Sequence, residues 1–216
     1  AERLAFEREF SPEIGSSEVM VVEDGRVVAA WGDPSRRLVS YSIRKSLFSA
    51  LVGVEISRQR LRVDVTLGEI GIDDVEPLTA GERAARVVDL LRARSGVYLP
   101  VDFESPWMAA TRPSRGSHPP GTFFFYNNWD FNALGMSYEQ ESGTTIGAGF
   151  ARDIAGPIGM QDFRPEDLYW LRGPVSRHGA FHFTISTRDL ARFGLLYLRH
   201  GRWGLRQVIP ARWVRS

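Results

Sequence analysis

The 216-residue sequence has no cysteine. That excludes disulfides, thiolate metal centres and cysteine nucleophiles, and it leaves the compartment open. Lysine is nearly absent as well. Of 27 Lys and Arg side chains, 26 are arginine and one, Lys45, is lysine. A GC-rich genome accounts for most of that bias, because surface lysines drift to arginine at little cost. Arginine is always charged, however, whereas a lysine in a suitable pocket can lose its proton and act as a base. A position that needs a neutral amine could not have drifted.

Charge of one sign is also lacking. The 27 basic residues face 26 acidic ones, for a formal net charge of +1. This argues against nucleic acid or an anionic membrane surface as a bulk electrostatic partner. No stretch approaches the roughly 18 consecutive apolar residues of a membrane span. No leader pattern opens the sequence. Since it begins at Ala1, a leader could have preceded it, and the location stays open between cytoplasmic and periplasmic or secreted.

What is present is a chain with 43% hydrophobic residues, enough for a substantial core. There is no internal repeat, low-complexity tract or evident linker, so residues 1–216 read as one domain. In residues 18–31, EVMVVEDGRVVAAW, two β-rich runs flank Asp24-Gly25, a hairpin signal. From Ser42 to about Arg58 the period becomes helical, with Ile43, Leu47, Phe48, Leu51 and Val54 apolar, and the segment reads as a buried central helix beginning near Ser42. Residues 79–93 read as one helix opened by a Thr79/Glu82 capping box. Residues 100–121 read as a long irregular loop, a length often tied to function. Helices are expected over 128–141 and 144–155. Ser186 or Thr187 caps another that runs to Gly201. A short hairpin or loop over 203–209 and a last helical turn from Pro210 complete the expectation.

Two constellations could carry chemistry. Ser42-Ile43-Arg44-Lys45 matches S-x-x-K. On a helix, residues three apart share a face, so the Lys45 amine can reach the Ser42 hydroxyl. The helix N-terminus favours developing negative charge, and a serine hydroxyl becomes nucleophilic once a base takes its proton. The plainer alternative is a capping serine beside a solvated lysine. The second constellation is Pro120-Gly121 followed by an aromatic run that ends in Tyr126-Asn127-Asn128. A tyrosine hydroxyl beside a lysine can relay a proton, and an asparagine amide can hold a substrate carbonyl. The alternative there is an aromatic core strand followed by a helix-capping asparagine.

Together these motifs resemble the serine β-lactamase and penicillin-binding protein superfamily, in particular its branch of class C β-lactamases, DD-peptidases and related esterases. The matching stretches are collinear: S-I-R-K at 42–45, L-L-R-A-R-S-G-V at 90–97, P-G-T-F-F-F-Y-N-N at 120–128, and I-S-T-R-D-L-A-R-F-G-L-L-Y-L at 185–198. The resemblance implies a mixed α/β (α+β) fold, an antiparallel sheet with flanking helices plus a helical region. It implies Ser42 as nucleophile, Lys45 and Tyr126 as the proton-transfer pair, Asn128 as a substrate-binding residue, and an oxyanion site that uses the Ser42 backbone N–H. It calls for no cofactor.

One family feature is missing. The family's third motif, Lys- or His-x-Gly on a later strand, occurs nowhere in this sequence. The resemblance therefore implies that the C-terminal sheet strands are absent and that the 18–31 hairpin has an exposed edge. Such a chain would be a fragment of the family domain, a chain completed by self-association or by a complementing C-terminal chain, or a truncated member without activity. Elsewhere, His118, His178, His182 and His200 lack metal-ligand spacing. His178 and His182 are four apart, but Gly179 argues against a helix there. His182 or Phe181 could line the site. No G-x-S-x-G and no phosphate-binding glycine loop occur.

Three functions follow as expectations. The first is an acyl-enzyme-forming serine hydrolase acting on small-molecule carboxylic esters or small amides. The second is a β-lactamase or DD-peptidase. The third is a non-catalytic binding or scaffold member.

Overall fold

The computed structural model describes residues 15–216. Strands β1 (Val19–Glu23) and β2 (Arg26–Trp31) form the expected hairpin, pairing Val19 with Trp31 and Glu23 with Arg26. Asp24 and Gly25 turn the chain at φ values of 48° and 80°, the double left-handed conformation that suits the twist of a two-residue hairpin. A second, three-stranded sheet has β5 (Ala180–Ser186) at its centre, antiparallel to β3 (Arg37–Val39) on one side and β4 (Leu168–Leu171) on the other. The result is a mixed α/β (α+β) fold with antiparallel sheets and packed helices, as the resemblance implies.

Helix α1 (Ile43–Ser57) runs through the middle. Leu47, Phe48, Leu51 and Val54 are buried on it as the periodicity requires, whereas Ile43, at the exposed first turn, is not. Phe181, Phe183 and Ile185 of β5 point inward. Phe181 meets Phe48 edge-on at 5.1 Å. Because side chains alternate along a strand, His182 faces the other way.

The single helix expected over 79–93 is instead two short ones, α2 (Ala80–Arg83) and α3 (Val87–Leu91). The Thr79/Glu82 capping box is present. The break arises because the backbone between the helices bonds to the 63–68 segment: Leu67 N donates to Ala85 O at 2.8 Å and Val87 N to Val65 O at 3.0 Å. Within 100–121 the chain forms one helix, α4 (Pro106–Thr111), with Ser105 as its cap. The rest of that segment is held from outside. Asp102 accepts from Ser176 N at 3.1 Å, and Arg115 donates to Glu82 at 2.7 Å.

Helix α5 (Trp129–Ser142) ends at a left-handed Gly143. Helix α6 (Ile146–Phe150), capped by Thr145, continues into a π-helical turn over Ala151–Ala155. A 3-10 turn over Pro165–Asp167 leads into β4. Helix α7 (Thr187–Leu198) takes Ser186 as its cap. The short strands β6 (Arg202–Trp203) and β7 (Arg206–Gln207) precede α8 (Ala211–Val214). Trp213 of α8 donates to Ser49 O on α1 at 2.9 Å. Its ring lies where a side chain at Gly53 would stand. No helix among the described residues is long and apolar enough to cross a membrane.

Candidate active site

Three residues named from the sequence converge on the amine of a fourth. Lys45 Nζ lies 3.3 Å from Ser42 Oγ, 3.1 Å from Tyr126 Oη and 2.8 Å from Asn128 Oδ1. Lys45 is 6% exposed, so the reading of a solvated lysine fails. Ser42 does stand at the N-cap of α1, but its side chain makes no capping hydrogen bond. The hydroxyl is thus uncommitted to the helix.

The turn before Ser42 is tight. Tyr41 has φ 43°, a left-handed conformation that costs a bulky residue on the order of 1–3 kcal/mol and collects at functional sites. Ser40 N anchors the turn by donating to Phe183 O on β5 at 2.9 Å. The sheet therefore presents the start of α1, and the helix period carries Lys45 back over Ser42.

Tyr126 and Asn128 arrive through a different device. Residues 123–127 form no strand, contrary to the aromatic-strand alternative. Phe125 is buried and ties its N–H to Ala93 O at 2.9 Å, while Phe123 and Phe124 are exposed. Asn127 Oδ1 accepts from Asp130 N at 2.9 Å. The first-turn donor of α5 is therefore satisfied by Asn127, and Asn128 keeps its amide for Lys45. Asp74 fixes the same end of α5. Its carboxylate accepts from Trp129 Nε1 and Ser176 Oγ, each at 2.7 Å. Ser95, in the L-L-R-A-R-S-G-V stretch, donates to Asp130 Oδ1 at 2.5 Å.

The electrostatics favour a neutral amine. Burial first, and the charge of Arg44 second, bring Lys45 down from its usual 10.5 to about 7. Burial also lowers Arg44, to about 10. His182 is lowered by burial and by both cations.

Ser42 opens onto a cavity of about 220 Å³ whose walls include Tyr41, Arg44, Phe103, Met108, Asn128 and His182. Phe103, like Tyr41, is exposed and has a left-handed backbone, at φ 61°. His182 stacks on Tyr169 with ring centroids 5.7 Å apart. On the far side of Lys45 a larger open cleft of about 660 Å³ runs between α1 and α8, lined in part by Phe131, Trp213 and Ser216.

Sequence reasoning missed Arg44 and Asn132. Arg44 stands inside the tetrapeptide at 2% exposure and donates to Asn132 Oδ1 at 2.9 Å. The available signal was a helix apolar around its girth, which leaves no exposed face for an arginine. His178 and His182 do not meet as a pair. The first is buried against Trp129 before β5, at a 5.3 Å ring separation, and the second lies on the strand. Among the described residues no group of three or more His, Cys, Asp or Glu is arranged to hold a metal.

A family model described as Beta-lactamase matches residues 4–213. Among solved structures the chain is similar to an octameric penicillin-binding protein homologue from Pyrococcus abyssi, with a TM-score of 0.69 and 18% identity over 99% of this chain and 58% of that one. A β-lactamase from Mycobacterium bovis aligns with a TM-score of 0.61 and 22% identity, over 92% of this chain and 59% of that one. A penicillin binding protein from Bacillus halodurans aligns with a TM-score of 0.63 and 16% identity, over 92% and 73%. The chain thus spans 58% to 73% of the length of these three proteins. At such identities the likeness establishes a shared fold. No curated protein sequence matches the chain.

Proposed function

The chain belongs to the β-lactamase family, a family of serine hydrolases in general, and we propose that it forms an acyl-enzyme through Ser42 and hydrolyses carboxylic esters or small amides. The observation that carries this reading is the set of three oxygens around one buried amine, Ser42 Oγ, Tyr126 Oη and Asn128 Oδ1, all within 3.3 Å of Lys45 Nζ.

In the forward step the Ser42 oxygen forms a bond to the substrate carbonyl carbon as its proton passes to Lys45 Nζ. The carbonyl π pair becomes an oxyanion facing the Ser42 N–H, where a single donor typically lowers the barrier by about 3 kcal/mol. Collapse of that intermediate breaks the bond to the leaving group. The leaving group takes the proton back through Lys45 and Tyr126. A water then repeats the sequence on the acyl-enzyme, returning Ser42 and releasing the acid. Asn128 holds the amine and the substrate carbonyl side. The aromatic walls Tyr41, Phe103 and His182 suit an apolar or aryl group, beside the charged side chains of Arg44 and Glu104 in the same cavity.

The second reading, a β-lactamase or DD-peptidase, shares the acylation chemistry and differs in what the cavity admits. The test is direct. The protein and Ser42→Ala are incubated with a fluorophosphonate, then with a short-chain aryl ester and a chromogenic cephalosporin. Ser42-dependent labelling with preferential ester turnover supports the proposal. Preferential cephalosporin turnover moves it to the second reading. No Ser42-dependent label removes both and leaves a binding role.

A further inference from the structure

Arg44 has no part in the mechanism above, yet it is a buried cation with no ion-pair partner among the described residues. Its Nη2 donates to Asn132 Oδ1 at 2.9 Å, its guanidinium lies over the Phe181 ring at 4.4 Å, and its buried Nη1 has no hydrogen-bond partner. These partners are an amide oxygen and an aromatic face, both neutral. Burying a guanidinium is costly unless a counter-ion compensates it, and a cation–π contact returns only part of that cost.

The surroundings explain where the charge is felt. Lys45 donates to Asn128 and Arg44 donates to Asn132. Those acceptors are four residues apart on one face of α5, where helical neighbours lie about 6 Å apart. The amine and the guanidinium, both carried by α1, therefore reach successive turns of α5, out of water. The other titratable groups facing them are few. Tyr126 comes from the segment before α5, and His182 comes from β5. Glu104, from the loop before α4, is engaged by Arg112. Asp130 of α5 binds Ser95 through Oδ1 and makes no ion pair with either cation. Among the described residues no carboxylate forms an ion pair with Arg44.

We propose that Arg44 is a positioning residue for proton transfer: its uncompensated charge, felt one turn of α5 from the amine, adds to burial in disfavouring the ammonium form of Lys45, so that the amine can take the Ser42 proton. The effect on catalysis rests on the acyl-hydrolase reading, but the effect on the amine does not, and the amine can be read by itself. Lys45 is the single lysine of the chain. Protein grown on lysine carrying ¹³C at Cε gives one lysine resonance, and its chemical shift follows the protonation of Nζ.

Three variants separate charge from packing. Arg44→Gln removes the charge and keeps a donor for Asn132. Asn132→Asp keeps Arg44 and supplies it with a counter-ion of nearly the same shape. Arg44→Lys keeps a cation. The Lys45 midpoint is expected near 7 in the parent protein. It is expected to rise by about one pH unit or more in Arg44→Gln and Asn132→Asp, and to stay closer to the parent in Arg44→Lys. Labelling by a fluorophosphonate at pH 7 should slow by about fivefold in the first two and recover above pH 9, since only the neutral fraction of Lys45 changes. Unchanged midpoints in Arg44→Gln and Asn132→Asp would overturn the inference, however much either variant slows the reaction. If Arg44→Gln does not fold, Arg44→Met, which removes the charge and adds no carboxylate, decides in its place. Absence of Ser42 labelling in the parent would sink the acyl-hydrolase reading while leaving the titration interpretable.

Discussion

Lys45 Nζ donates to Asn128 Oδ1 at 2.8 Å, and that oxygen has no hydrogen to give in return. One N–H of the amine is therefore committed to Asn128 in any protonation state. An ammonium would donate to Asn128, Tyr126 and Ser42 together. A neutral amine donates to two of them and turns its lone pair to the Ser42 hydroxyl, the arrangement a general base needs. Asn128→Asp tests this economy of protons. A carboxylate at 2.8 Å would hold Lys45 as an ammonium and raise its proton affinity. Acylation at pH 7, followed by fluorophosphonate labelling, is expected to fall more than about tenfold, with partial recovery at higher pH. Equal rates in parent and variant would mean that Asn128 does not govern the amine.

Lys45→Arg keeps the charge and forfeits the base. A guanidinium stays protonated at every accessible pH, so the loss is expected to be about 10²–10⁴-fold, the usual worth of a positioned acid–base group. The parent enzyme should carry the matching pH signature. Lys45 is lowered to about 7, and its neutral form is the reactive one. The acylation rate should therefore climb as pH rises through about 7 and level off above it. A rate that falls across this interval, or a Lys45→Arg variant of parental activity, would remove Lys45 from the base role.

Tyr126→Phe keeps the ring beside the amine, whose centroid lies 4.6 Å from Nζ, and deletes only the hydroxyl at 3.1 Å. Little stability should be lost, because Tyr126 is not fully buried. Turnover of an aryl ester is expected to drop by about 10²-fold, less for a good leaving group that needs no proton than for an amide that does. An equal loss on both substrates would argue that the hydroxyl positions Lys45 rather than relaying a proton.

Much of this was legible in the sequence, and the limits have physical causes. The Asp24-Gly25 hairpin, the Ser186 cap and α1 rest on local rules, and each appears where those rules put it. The break between α2 and α3 does not, because hydrogen bonds to residues 63–68 outweigh a continuous helical period. At the site, Ser42 and Lys45 share a face by spacing alone, and Tyr126 and Asn128 were reachable through the resemblance. Arg44 escaped notice because an arginine inside an apolar helix is ordinarily assigned to the surface. Only the tertiary meeting with Asn132 and Phe181 reveals its burial. The division of labour between Asn127 and Asn128 was likewise hidden, since either could have capped α5.

Asp130 offers a test of the support beneath the site. It is fully buried, receives Ser95 Oγ on one oxygen and leaves Oδ2 without a partner. Burial pushes its carboxyl up from 3.8 to about 7, against the lowering effect of its hydrogen bonds from Ser95 and Asn127. The sign follows from linkage. Between about pH 4 and 7 the folded chain retains a proton that the unfolded chain has released, so this group's contribution to stability falls as pH rises through that window. Asn at the same position has the same shape, can still accept from Ser95, and does not titrate. The stability of Asp130→Asn relative to the parent, measured by urea denaturation at successive pH values, should therefore improve across the interval. The slope is at most about 1.4 kcal/mol per pH unit. Below pH 4 the two curves should run parallel, with the variant offset by whatever its new amide hydrogens cost. A difference that stays flat from pH 4 to 7 would show that Asp130 ionises normally inside the fold. The start of α5, from which Asn128 reaches Lys45, would then rest on a charged carboxylate and not on a neutral one.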